Sequence, residues 1–192
     1  MPRQVVVYKV SIYLFQQISL NRIFAPMAGR LLSELKQTKP FRSRTDEAYL
    51  NLIRTADLLR RRTAEFLKPH DLSPAQYNVL RILRGSAGSP ITCGEVGSRL
   101  VTFEPDVTRL VDRLVKRGLV KRQRCSEDRR AVRLTITDNG LALLATFDDL
   151  LPTLHDNHLK RLGDERLSQL INLLEEIRAD SPSSPTSTPE NP

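Results

Sequence analysis

The sequence predicts a mainly α-helical chain that carries one small antiparallel β-hairpin, and three observations predict it. Apolar residues recur at three- and four-residue spacing in stretch after stretch, as in helices that each bury one side. Helix-start signals precede several of these stretches: Ser73-Pro74, Thr92 and Thr137. Two extended runs, at Leu119-Val120 and over residues 131 to 136, enclose a polar tip, Cys125-Ser126-Glu127-Asp128-Arg129-Arg130, and the second alternates apolar and polar residues as a half-buried strand does.

Taken in order, residues 1 to 25 hold the apolar run VVVYKVSIYLF, interrupted by Lys9 and followed by Gln16-Gln17. A membrane span needs about 20 apolar residues in succession, so none is expected here. Ile23-Phe24-Ala25 is a poor match to a signal-peptide cleavage site. This segment reads as an extension the fold does not need, with Met27 as an alternative start. Residues 30 to 45, basic and containing Pro40, read as a linker, so that 1 to 45 form an N-terminal extension and linker. Asp46 to about Phe66 is a long helix. Asp46 and Glu47 lie in its first turn, where negative charge suits the helix dipole.

Ser73 as N-cap and Pro74 at the first position open the next helix, whose core side is Tyr77, Val79, Leu80, Ile82 and Leu83. Ile91 offers one short strand. Thr92 then caps a short helix, with Glu95 three residues on completing a capping box. A turn at Val101-Thr102-Phe103 leads to a helix whose stripe is Val107, Leu110, Val111, Leu114 and Val115, ended by Gly118 in the left-handed conformation. Two short helices joined this way form a helix-turn-helix, in which the second helix enters the groove of DNA. After the hairpin, Thr137 caps a helix in which Pro152 is expected to make a kink. Gly163 ends that helix, and Asp164 caps a last one with Leu167, Leu170, Ile171, Leu174 and Ile177 at helical spacing. This last stripe is broader than a lone surface helix needs and suggests a partner. Residues 181 to 192, SPSSPTSTPENP, read as a disordered tail.

Charge concentrates where the helix-turn-helix meets the hairpin. Residues 99 to 133 hold eleven Lys or Arg against five Asp or Glu, a net of +6, while residues 134 to 192 carry −6. A basic helix joined to a basic hairpin points to nucleic acid, since each cation placed near a phosphate releases a condensed counterion. No P-loop, nucleophile elbow or Cys-x-x-Cys pair is present, so no enzyme and no cofactor is expected. His155 and His158, three apart, are read as surface or core residues in preference to a metal site. Cys93 and Cys125 make no disulfide framework and suit a reducing cytoplasm, their redox role being open.

In their order and residues these elements resemble the MarR family of winged helix-turn-helix transcriptional regulators. The resemblance runs from about Leu72 to Leu144 through LSPAQYNVLRIL, ITCGEVGSRL, PDVTRLVDRLVKRGLVKR and the wing EDRRAVRLTITDNG. It implies a winged helix-turn-helix over about 72–136 inside a domain spanning 46–180, flanked by dimerisation helices at 46–67 and 138–179. It implies a homodimer on a palindromic double-stranded DNA operator, acting as a repressor and released by a small-molecule effector. The family's peroxide-sensing branch uses a cysteine on the first long helix, and none lies between Asp46 and His70. The DNA-binding candidates are Thr102, Asp106, Thr108, Arg109 and Arg113 from the helix and its approach, with Arg129 and Arg130 from the wing. Arg binds guanine bidentately and Asp accepts from the cytosine amino group; Arg130 enters a narrow minor groove. Asp128 braces the wing. Asp106 has a second reading of equal standing, as acceptor for the first-turn amides of its own helix. The rival functions are a non-specific architectural nucleic-acid binder and a winged-helix protein-interaction module.

Overall fold

The computed structural model describes residues 30–86, 88–124 and 132–179, with the backbone alone described at residue 124. The extension at 1 to 25, the tail at 181 to 192 and the hairpin tip lie outside the described residues. The chain divides into two units, residues 1–62 and 63–192.

In the first unit, α1 (Arg30–Glu34) stands where the sequence reads as a linker. An i,i+4 ion pair between Arg30 and Glu34 at 3.2 Å spans its single turn, and Leu31 is buried. Glu34 also meets Arg54 at 3.5 Å. Arg54 lies on α2 (Arg44–Leu67), which starts in the first unit and ends in the second. Ser43 accepts the Asp46 N–H at 3.0 Å at its start.

The second unit is a winged helix. α3 (Pro74–Gly85) is followed by β1 (Ile91–Thr92), α4 (Cys93–Ser98), α5 (Val107–Lys116), β2 (Val120–Arg124) and β3 (Val132–Ile136). The hairpin is joined by a third strand. β3 lies in the middle of the order β1-β3-β2, pairing Ile91 with Leu134 on one side and Val120 with Ile136 on the other, all antiparallel. α3 packs on α4, α5 and β3, and α5 packs on α4 and β2. One core runs through them: Val79, Leu80 and Leu83 of α3, Val96 of α4, Leu110, Val111 and Leu114 of α5, and Leu119, Val120 and Leu134 of the wing.

The capping signals at Ser73 and Thr92 behave as their chemistry requires. Ser73 and Gln76 exchange hydrogen bonds at 3.2 and 2.9 Å, and Pro74 occupies the first turn of α3, where its missing N–H costs nothing. Thr92 and Glu95 form the second box, with the Thr92 N–H and hydroxyl donating to Glu95 at 2.7 and 2.9 Å. Those two hydrogen bonds hold the Glu95 carboxyl below its ordinary value, aided by the positive charge of Arg99 and Arg133. A group with a lowered folded pKa stabilises above its unfolded value and loses that contribution as pH falls through the folded one. Glu95→Gln is therefore expected to flatten the acid limb of the stability–pH profile below about pH 4.5. Urea unfolding at pH 3 to 6 checks it, and an unchanged slope counts against the box.

The C-terminal helices depart from expectation at Pro152 and again at Asp164. There is no single helix kinked at Pro152. α6 (Asp138–Ala145) stops before it, and α7 (Leu150–Leu159) starts afresh. Pro152 then lies in the first turn of α7, where a missing N–H and ring bulk are tolerated; inside one long helix its ring would meet the carbonyl of residue 148. The break seats Phe147, fully buried, edge-on to Phe66, His70 and Tyr77 with centroids 4.8 to 6.0 Å apart. Arg84 holds Asp148 through both carboxylate oxygens at 2.8 and 3.0 Å. A 3₁₀ turn (Lys160–Leu162) leads to α8 (Gly163–Ala179). The last helix starts at Gly163, with φ of 73°, so Asp164 is its second residue and not its cap. Among the described residues no helix is long and apolar enough to cross a membrane.

Candidate nucleic-acid interface

α5 is amphipathic in a way that sorts its residues by job. Leu110, Val111 and Leu114 are buried, with Val107 and Val115 packed beside them. Arg109, Arg113 and Lys116 follow each other at i, i+4 and i+7 on the opposite side, exposed, and Thr108 is exposed next to them. Among the described residues none of the three cations has an ion-pair partner. Side chains left in water with full charge are available to a polyanion at no internal cost.

Other basic residues of the same region are already committed. The Arg122 guanidinium meets Asp112 at 2.8 Å and so ties β2 to α5. Arg117 donates to the backbone carbonyls of Asp71 and, at 3.0 Å, His70, fastening the end of α5 to the turn before α3. Arg133 donates to the Pro90 carbonyl at 3.1 Å, binding the wing to the loop before β1. Counting net charge does not separate these groups; geometry does.

Asp106 is the N-cap of α5, and its Oδ1 accepts the Arg109 N–H at 2.8 Å. Of its two readings, the first-turn acceptor is the one this geometry supplies. Asp106→Ala is expected to cost about 1 kcal/mol of stability. Asp106→Ser, which restores the cap, is expected to match the parent in both stability and DNA affinity; a loss of affinity with the serine at unchanged stability would return Asp106 to base reading. Thr102 lies exposed in the turn before α5. Arg129, Arg130 and the bracing Asp128 lie outside the described residues.

Two positioning residues, Asn78 and Gly97, carry no signal in the sequence taken alone, and Thr137 does more than the capping its sequence signals. Asn78 on α3 accepts the Val101 N–H at 2.9 Å and so anchors the turn between the two helices of the motif. Gly97 lets α4 and α5 approach, since a Cβ there would stand 3.3 Å from Val107. Thr137 donates its hydroxyl to the Gly118 carbonyl at 2.7 Å and accepts the Gly140 N–H at 3.1 Å, joining the end of α5 to the start of α6. Gly118 itself has φ of 69°, the left-handed exit its position calls for. Among the described residues no group of three His, Cys, Asp or Glu could hold a metal ion.

The chain is similar to known proteins over this same region. Residues 70–131 match the model of the MarR family. A MarR transcription factor from Planctomyces limnophilus is 41% identical, the match covering 70% of this chain and 98% of that one with a TM-score of 0.56. A mutant MarR from E. coli, solved in complex with operator DNA, is 31% identical over 66% of this chain and 91% of that one, with a TM-score of 0.60. MepR from S. aureus, in a DNA complex, shares the fold at a TM-score of 0.61 and 19% identity over 70% of this chain and 97% of its own. With the winged helix, the outward cations of α5 and a relative of this identity covered almost end to end, the chain belongs to the MarR family of winged-helix transcription regulators.

Proposed function

We propose that the protein is a homodimeric repressor that reads a palindromic operator, one α5 in each of two successive major grooves. The observation that carries this reading is the outward row of Arg109, Arg113 and Lys116 on a helix whose other side is fixed in the core. Thr108 borders that row, and Thr102 lies exposed in the turn before the helix. Arg129 and Arg130 of the wing supply minor-groove and phosphate contacts, with Asp128 as brace. The DNA complex of the E. coli relative supports a duplex partner for this chain.

Helices at 46–67 and 138–179 serve as the dimerisation region. Tyr49, Ile53 and Leu58 of α2 and Ile171 and Leu173 of α8 are large apolar residues left exposed in the single chain, as surfaces meant for a second copy are. A small-molecule effector bound by the dimer would change the separation of the two α5 helices and shift the population away from the operator-competent state. The regulator works in the cytoplasm, where its DNA is.

Selection of bound sequences from random duplex DNA tests the reading. The expected result is a two-fold symmetric motif with half-sites about 10 base pairs apart. A specificity ratio near unity between selected and random duplex would favour non-specific binding and overturn it.

A further inference from the structure

Phe103 is 92% exposed and Val101 is 87% exposed, the most open of the large apolar residues described. Both lie in the turn that delivers α5, with Phe103 three residues before the Asp106 cap. Isolated apolar residues on a surface are ordinary, but this one is held in place. Asn78 fixes the start of the turn through the Val101 N–H. Pro105 locks its own φ and biases Glu104 toward an extended backbone. Asp106 then closes the turn onto the helix. A ring kept in water by a backbone anchored at both ends is pre-organised for contact.

We propose that Phe103 is a specificity-determining residue that lays its ring on the C5-methyl group of a thymine in the operator half-site. This rests on the regulator reading above. The surroundings choose the occupant. Three cations of the same motif, Arg109, Arg113 and Lys116, are exposed and lack ion-pair partners among the described residues. The two carboxylates of the helix are engaged elsewhere, Asp106 by an amide and Asp112 by Arg122. An exposed apolar ring in the same motif as cations without an ion pair among the described residues fits a surface that is apolar at one point and anionic around it. The thymine methyl in the major groove is such a point, and Phe is among the side chains that meet it. A protein partner seated here would have to cover those charges with carboxylates of its own.

The test uses the full chain and the operator recovered by selection. Each thymine of one half-site is replaced in turn by deoxyuridine, which removes only the methyl group. The parent protein is expected to lose about 4-fold in affinity at one such position, the value of burying one apolar carbon. Phe103→Ala is expected to bind the natural operator correspondingly more weakly and to bind the deoxyuridine and thymine operators equally at that position. Phe103→Leu restores part of the methyl dependence. Folding is not at stake for a side chain this exposed, and helix content confirms it. A Phe103→Ala protein that keeps the parent's methyl dependence, or that binds both duplexes as the parent does, overturns the contact while leaving the regulator reading intact. Failure of the parent to select any operator sinks that reading and the contact together.

Discussion

Replacing Arg109 and Arg113 together with Ala is expected to weaken operator binding about 100-fold or more, since a side chain paired bidentately with guanine is worth about 1–3 kcal/mol. Stability is expected to change by less than about 0.5 kcal/mol, because both side chains are exposed and make no ion pair among the described residues. The salt dependence divides the two roles. If either arginine sits on a phosphate, its removal lowers the slope of log affinity against log salt by about 0.9 for each phosphate no longer neutralised. Base reading instead relaxes sequence preference and leaves the slope alone. The same truncation at Arg117 or Arg122 is expected to act through folding, since those guanidinium groups hold the His70 carbonyl and the Asp112 carboxylate. Filter binding and urea unfolding on the double variant and these two single variants check this. Equal losses of affinity across all three, or an unchanged affinity for the double variant, would mean that α5 is not the reading helix.

That sorting of arginines marks how far the sequence could be read. Signals acting within four residues were legible. Ser73, Thr92 and Thr137 cap their helices through bonds spanning three residues, and Gly118 takes the left-handed exit its position demanded. The stripe of α5 named its own buried side. What was illegible depends on partners far along the chain. Arg117 finds its acceptors 46 and 47 residues away, and Arg84 finds Asp148 at a separation of 64. No periodicity encodes such pairs, so arginines engaged within the fold and arginines left exposed looked alike. α1 escaped notice because one turn held by a single ion pair has no period to detect. The break between α6 and α7 was misplaced for a related reason. Pro152 announces a disturbance but not its side, and the aromatic pocket that draws Phe147 inward is assembled from Phe66, His70 and Tyr77. At Asp106 the sequence left two roles open, and the capping one is visible only once the Arg109 amide is placed.

Gly140→Ala is expected to destabilise the protein by about 3 kcal/mol, at the upper end of ordinary overpacking costs. Within an exposed stretch of helix the same change helps, since Ala is favoured over Gly by about 1 kcal/mol. Here a Cβ would stand 2.4 Å from the Leu119 carbonyl oxygen and 2.7 Å from Ile136 Cγ1. The carbonyl has little freedom to retreat, because it accepts the Thr137 N–H at 3.1 Å. Nor does α6 readily move away, because the Gly140 N–H is held by Thr137, whose hydroxyl donates to the Gly118 carbonyl. Relief therefore means opening the junction between the end of α5 and the start of α6, which costs hydrogen bonds and tilts α5. DNA affinity should fall with stability, in contrast to the Arg109 and Arg113 double variant, where it falls alone. Gly85→Ala is the control: a Cβ there meets nothing within 4 Å, and a neutral or slightly stabilising change is expected. Urea unfolding of both variants at one protein concentration makes the comparison. A Gly140→Ala protein as stable as the parent would show that the junction yields, and that the close approach of α6 to the Leu119 carbonyl is not what fixes α5.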